Sequence, residues 1–159
     1  CNTAHAYLDH IRGAVAIPVL DMIQMTADRL TELSSQPETV GVIASSAVLK
    51  AELYGKALEA RGLDVVLPTV ADQDAVMTLI KKVKSRQVSM EDHQRFGDIA
   101  NCLVEGGAQA IAVACTDLSV MGQDSLISDV PLIDALDVLT EAIVTYVEQL
   151  VQSPVRDSI

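Results

Sequence analysis

The sequence predicts an α/β fold, a parallel sheet flanked by helices. Two observations carry this. Five short apolar runs lack the polar alternation of a half-exposed strand, and continuous runs are how strands covered on both faces read. Longer stretches with apolar residues at helical spacing lie between them, so strand and helix alternate as in successive βα units.

The first helix is expected over residues 3–15, where Tyr7, Leu8 and Ile11 fall on one face, and Asn2 or Thr3 is placed to cap it. A strand is expected over 17–20, then a helix over 21–33 with Met22, Met25, Leu30 and Leu33 on a stripe interrupted by Thr26. Residues 40–44 form a clearer strand, β-branched and uncharged. The helix over 46–61 carries Val48, Leu49, Leu53, Ala57 and Leu58 and stops at Gly62. A strand over 63–67 is closed by Pro68, and a helix over 71–86 follows with Val76, Ile80 and Val83. The helix over 89–105 places Phe96, Ile99 and Leu103 together and ends at Gly106-Gly107. Residues 110–114 are the strongest strand, 130–133 a short one, and 134–151 a last helix with Leu136, Leu139, Ile143, Val147 and Leu150. Residues 153–159 read as a frayed tail.

Composition narrows the function. The chain has 159 residues, with 11 Lys+Arg against 22 Asp+Glu, a net charge of −11. Half the residues are hydrophobic, which is globular rather than disordered. No run approaches the ~18 apolar residues of a membrane span, so no membrane partner is expected. An acidic chain with 3% aromatic residues and no basic patch rimmed by them is no nucleic-acid binder. Three cysteines, odd in number and far apart, make neither a disulfide scaffold nor a zinc site, so no metal is expected. Length alone suggests one domain. Residue 1 is Cys rather than Met, and with no signal or transit segment in view a cytoplasmic location is expected.

Ligand sites in parallel sheets lie beyond the C-terminal strand ends, where loops enter helices. Cys115 stands there, directly after the strongest strand. Amide N–H groups at a following helix start would favour its thiolate, although a small buried residue at a strand end fits as well. Cys1 opens a similar corner, a Cys with a Thr close behind and then a helix, which hints at a pseudo-symmetric pair. Cys102 sits beside Ile99 and Leu103 and is expected to pack as a small hydrophobe. His5, one turn from Cys1, could orient or polarise that site, whereas His10 and His93 fall on polar faces. Lys81, Lys82, Lys84 and Arg86 form the one basic cluster, either a solvated helix face or a local site for an anion. Asp117 could accept from a ligand ammonium or cap the next helix.

The ordered set Cys1-Asn2-Thr3-Ala4-His5, Ile17-Pro18-Val19-Leu20, Ala114-Cys115-Thr116-Asp117-Leu118-Ser119 and Pro131-Leu132-Ile133-Asp134 resembles the aspartate/glutamate racemase family. Leu79-Ile80-Lys81-Lys82-Val83-Lys84 resembles its aspartate branch. The resemblance covers essentially the whole chain. It implies a cofactor-independent racemase, a small acidic amino acid as substrate, and a homodimer. It implies two pseudo-symmetric α/β domains with the site between them, each giving one catalytic Cys, here Cys1 and Cys115. Asn2, Thr3 and Thr116 match positions that bind the α-carboxylate or amino group, and Lys84 a lysine associated with the side-chain carboxylate. The pattern departs where Ser45 and Ser46 stand for a Thr hydroxyl, where Ala47 replaces a Gly, and where Ala114 and Asp117 replace Gly and Glu. Family members carry a segment before the first Cys. By resemblance, 21–129 is therefore expected to build the second domain, with 1–20 and 130–159 the remainder of an incomplete first one that leaves apolar surface exposed.

Two thiols suit racemisation because the α-proton leaves one face and a proton returns to the other. One thiolate acts as base while the opposite thiol acts as acid. Two other readings stand beside this one. An N-terminal-nucleophile hydrolase would use the amine of Cys1 as its base, though the βα pattern argues against the layered antiparallel sheets of such enzymes. A non-catalytic binding protein on the same fold would explain the departures at Ala47, Ala114 and Asp117.

Overall fold

The computed structural model describes residues 1–122 and 130–152. A 3-10 helix, Asn2–Tyr7, runs into α1 (Leu8–Ala14). Then come α2 (Met22–Thr31), β1 (Thr39–Ala44), α3 (Ser46–Lys50), α4 (Leu53–Glu59) and β2 (Asp64–Val66). Next are α5 (Val70–Lys84), α6 (Met90–Glu105), β3 (Ala110–Ala114), α7 (Ser119–Gly122), β4 (Leu132–Asp134) and α8 (Ala135–Gln152).

The four strands form one parallel sheet in the order β2-β1-β3-β4. The central pair, β1 and β3, is buried on both faces, as the uninterrupted apolar runs require. Alternation then sorts their side chains. Val40, Val42, Ala44, Ala110, Ala112 and Ala114 face a core built with Met22, Leu30, Tyr54 and Leu58. Ile43, Ile111 and Val113 face the other core, with Val76, Ile80, Phe96, Ile99 and Leu103. Each fully buried aliphatic side chain contributes about 1.5–3 kcal/mol. Gly41 is required by packing: a Cβ there would lie 2.6 Å from Ile111 Cδ1 and 3.1 Å from Leu103 Cβ.

Local chemistry sets the helix starts. Asp21 caps α2 by accepting from Ile23 and Gln24 N–H, both at 3.1 Å. Ser89 and Asp92 form a capping box on α6. Asp92 is buried, and its carboxyl is held below the ordinary range by the Lys82 ammonium at 2.6 Å and by Ser89 N–H. That pair ties α5 to α6.

Several expectations change. Residues 17–20 are not a strand, and Ile17 is exposed. A strand needs a neighbour for its N–H and C=O groups, and the described sheet offers none there. The helix expected over 46–61 is two, because Glu52 adopts a left-handed conformation at φ 53° between α3 and α4. Neither Asn2 nor Thr3 caps the first helix; Cys1 holds the N-cap position without a side-chain bond. Cys102 is exposed rather than packed, because it projects to the side of the stripe formed by Ile99 and Leu103. The tail expected over 153–159 lies outside the described residues. Exposed apolar residues gather on the outer side of α8 (Ile143, Val147, Leu150, Val151) and along the first segment (Tyr7, Ile11, Val15, Ile17).

Candidate active site

The strand order places a topological switch point between β1 and β3. The chain leaves β1 toward β2, then returns to β3 on the other side. A crevice forms at such a point beyond the C-terminal strand ends. Ala44 and Ala114 are paired in register there, so Ser45 and Cys115 leave the sheet side by side.

Cys115 is 9% exposed and belongs to the α5–α6 core. Burial pushes its thiol up. The Asp117 and Leu118 N–H groups and the Lys84 ammonium pull it down, without overcoming burial, while the Asp117 carboxylate, 4.0 Å from Sγ, adds to the rise. The lowered thiol expected from a helix start is thus not found. The turn leads into α7, only four residues long, and burial dominates. Lys84 Nζ lies 3.4 Å from Asp117 Oδ2, which brings a residue from the end of α5 to this corner. Thr116 is half-buried in the same turn. Asp134 ends β4 and accepts from Ser119 Oγ at 3.0 Å and Leu136 N–H at 2.7 Å. Burial raises its carboxyl too.

The first segment reaches the same end of the sheet. Thr3 Oγ1 is 3.5 Å from Ser45 Oγ, and Ser45 also caps α3 through Val48 N–H. Asn2 is buried, and its Oδ1 accepts from the Tyr54 hydroxyl at 2.7 Å. His5 Nε2 accepts from Met22 N–H at 3.1 Å. The ring proton therefore sits on Nδ1, which donates to the Cys1 carbonyl at 3.3 Å. Burial lowers the His5 pKa while Asp21 opposes, so the neutral ring is favoured. His5 thus links the backbone of Cys1 to the start of α2. Cys1 itself is exposed, and the two thiols share no hydrogen bond among the described residues.

Ser46, beside Ser45, meets α5. Its Oγ accepts from Gln73 Nε2 at 3.2 Å, and its N–H contacts Met77 Sδ at 3.3 Å. Gln73 also donates to the Ala44 carbonyl at 3.0 Å, fixing the β1 exit. Residue types alone did not single out Gln73 or Tyr54. A tyrosine within an apolar stripe was the available signal, since a buried phenol needs a partner.

The described residues contain no group of three His, Cys, Asp or Glu side chains placed to hold a metal ion, and no helix among them is long and apolar enough to cross a membrane. A cleft of about 390 Å³ beside Tyr54, Leu49 and Leu63, and one of about 470 Å³ between α2 and α8, include neither Cys1 nor Cys115. The parallel sheet differs from the antiparallel layers of the hydrolase alternative.

Comparison with known proteins gives concordant results. The model of the Asp/Glu/Hydantoin racemase family matches residues 1–143. The broad specificity amino-acid racemase RacX of Bacillus subtilis is 28% identical over 145 residues, covering 91% of this chain and 61% of that protein. The aspartate racemase of Picrophilus torridus superposes with a TM-score of 0.74 at 24% identity, over 93% of this chain and 60% of that one. Glutamate racemase isoform RacE1 of Bacillus anthracis gives 0.69 at 20% identity, over 94% and 56%. The chain thus spans about three-fifths of the length of these proteins.

Proposed function

The chain belongs to the Asp/Glu/Hydantoin racemase family, and from that premise we propose that its protein interconverts the L and D forms of an acidic amino acid, aspartate or glutamate, without a cofactor. Cys1 and Cys115 are the acid/base pair. One observation carries the reading: the switch point brings Ser45 and Cys115 out side by side, with Thr3 reaching Ser45 and Lys84 reaching the Cys115 corner.

In one direction the thiolate of Cys1 removes the α-proton, and the proton of Cys115 is delivered to the opposite face. The roles exchange for the other enantiomer. The raised Cys115 thiol suits the acid role at rest. Asn2, Thr3 and Thr116 hold the α-carboxylate and amino group, and Ser45 takes the place of a threonine hydroxyl. Amide N–H groups of the Cys115 turn stabilise charge that develops as the proton leaves. Lys84 faces the substrate's side-chain carboxylate and releases Asp117, its ion-pair partner, toward the ammonium group. Ser46 supports the β1 exit. The first α/β domain, to which 1–20 and the C-terminal stretch contribute, closes the site over the second, 21–129, and the enzyme is a cytoplasmic homodimer.

Incubation of the full-length protein with L-aspartate or L-glutamate in D₂O tests this. The expected result is α-deuterium together with the D enantiomer. Binding of either amino acid without exchange would support the non-catalytic alternative, and neither binding nor exchange would remove the acidic-substrate reading.

A further inference from the structure

We propose that Tyr54 is a positioning residue for the first cysteine corner: its hydroxyl fixes the Asn2 carboxamide so that Nδ2 is presented as a donor to an anionic oxygen of the ligand. The ligand's identity rests on the racemase reading above; the geometry does not.

Tyr54 and Asn2 are 2% and 3% exposed and lie far apart in sequence, yet they meet at 2.7 Å. Tyr54 projects from α4 and Asn2 from the 3-10 helix, so the contact is a tertiary choice rather than a local turn. Burial, outweighing an opposing hydrogen bond with the Thr26 hydroxyl, drives the phenol's ionisation well above its ordinary range, so the hydroxyl keeps its proton wherever the protein is folded. With that proton on Asn2 Oδ1, the carboxamide has one orientation. Oδ1 points to Tyr54 and Nδ2 points away.

Nδ2 is buried and has no hydrogen-bond partner among the described residues. A buried donor without an acceptor is unfavourable, and folded proteins rarely leave one without a reason. Here the donor stands next to Cys1 and Thr3, at the strand ends where Thr3 meets Ser45. The orientation decides selectivity. Were the amide reversed, Oδ1 would face the ligand and repel a carboxylate.

The test uses full-length protein labelled with ¹⁵N. In the wild type the Asn2 Nδ2 protons are expected to form no hydrogen bond to the Tyr54 oxygen, and the amide to be rigid. Tyr54→Phe, which keeps the ring, is expected to lower the order parameter of that amide. An Asn2 amide unchanged by Tyr54→Phe, or Nδ2 bonded to Tyr54 in the wild type, overturns the proposal; the second measurement stands if the variant does not fold. In racemisation assays Tyr54→Phe is expected to raise KM roughly fivefold, the worth of one neutral hydrogen bond, with kcat within about twofold. In an Asn2→Ala background it should add nothing. A KM equal to wild type, or a full rise that persists in that background, also overturns it. If the wild type neither binds nor turns over acidic amino acids, the racemase reading falls while the amide measurements still decide the Tyr54–Asn2 link.

Discussion

The two cysteine corners share a plan, a Cys with a Thr close behind and a helix after it, yet the fold treats them differently. Cys115 continues β3, a strand paired on both sides, and is buried against α5 and α6. Cys1 is exposed. Its corner is held by side chains instead: His5 to the start of α2, Asn2 to Tyr54, and Thr3 to Ser45. The difference teaches that a motif fixes which atoms are available, while the supporting elements fix their exposure and protonation. The Cys115 corner follows a strand, and the contacts described at the Cys1 corner are made by side chains.

The strongest way to break the comparison is to remove each thiol in turn. Cys1→Ser and Cys115→Ser in the full-length protein should each lower kcat by about 10²–10⁴-fold, the usual worth of a positioned acid or base. Loss at only one of the two corners would end the two-base reading. Thiol alkylation sharpens the contrast next. With iodoacetamide near neutral pH, Cys1 and the exposed Cys102 should be modified roughly tenfold or more faster than buried Cys115, as peptide mass spectrometry would read. Because burial shifts the Cys115 thiol upward, its thiolate forms only at higher pH, and its rate should keep rising as the pH is raised through the ordinary thiol range. Comparable rates at Cys115 and Cys102 across the range would refute the burial argument.

Smaller effects probe the supports. Gly41→Ala places a Cβ 2.6 Å from Ile111 Cδ1, in the sheet that carries Cys115. It should destabilise the protein by about 1–3 kcal/mol in urea unfolding. A change near zero would mean that Ile111 can move aside. His5→Leu should cost the first corner about 1 kcal/mol and speed hydrogen exchange at the Met22 amide, while His5→Asn retains part of the contact. The pH sign follows from the lowered His5 pKa. The unfolded chain binds a proton first, near the ordinary pH of about 6.5, so this contribution is complete above that value and is lost on acidification toward the folded pKa. A Met22 amide equally protected in all three proteins would show that the ring does not hold this corner.

Much of the fold was legible because its signals are local. The apolar runs at 40–44 and 110–114 could only be covered strands, and Gly62 and Gly107 end their helices at positive φ. The strand expected at 17–20 was not legible, since an apolar run becomes a strand only where a neighbour pairs with it. Glu52 gave no sign that it would take a left-handed conformation between α3 and α4. At the site, Cys115, Asp117 and Lys84 were named by type and position, and the structure brings them together. The upward shift of Cys115 was hidden, because burial depends on α5 and α6 rather than on the turn itself.

The sequence by itself determined the alternation of strand and helix, the cysteines and their following residues, and the family. These depend on residue type and spacing along the chain. The tertiary structure decided that Ser45 and Cys115 emerge side by side, that Lys84 reaches Asp117, and that Tyr54 takes hold of Asn2. Strand order and burial are properties of elements distant in sequence, and no local pattern encodes which of them will meet.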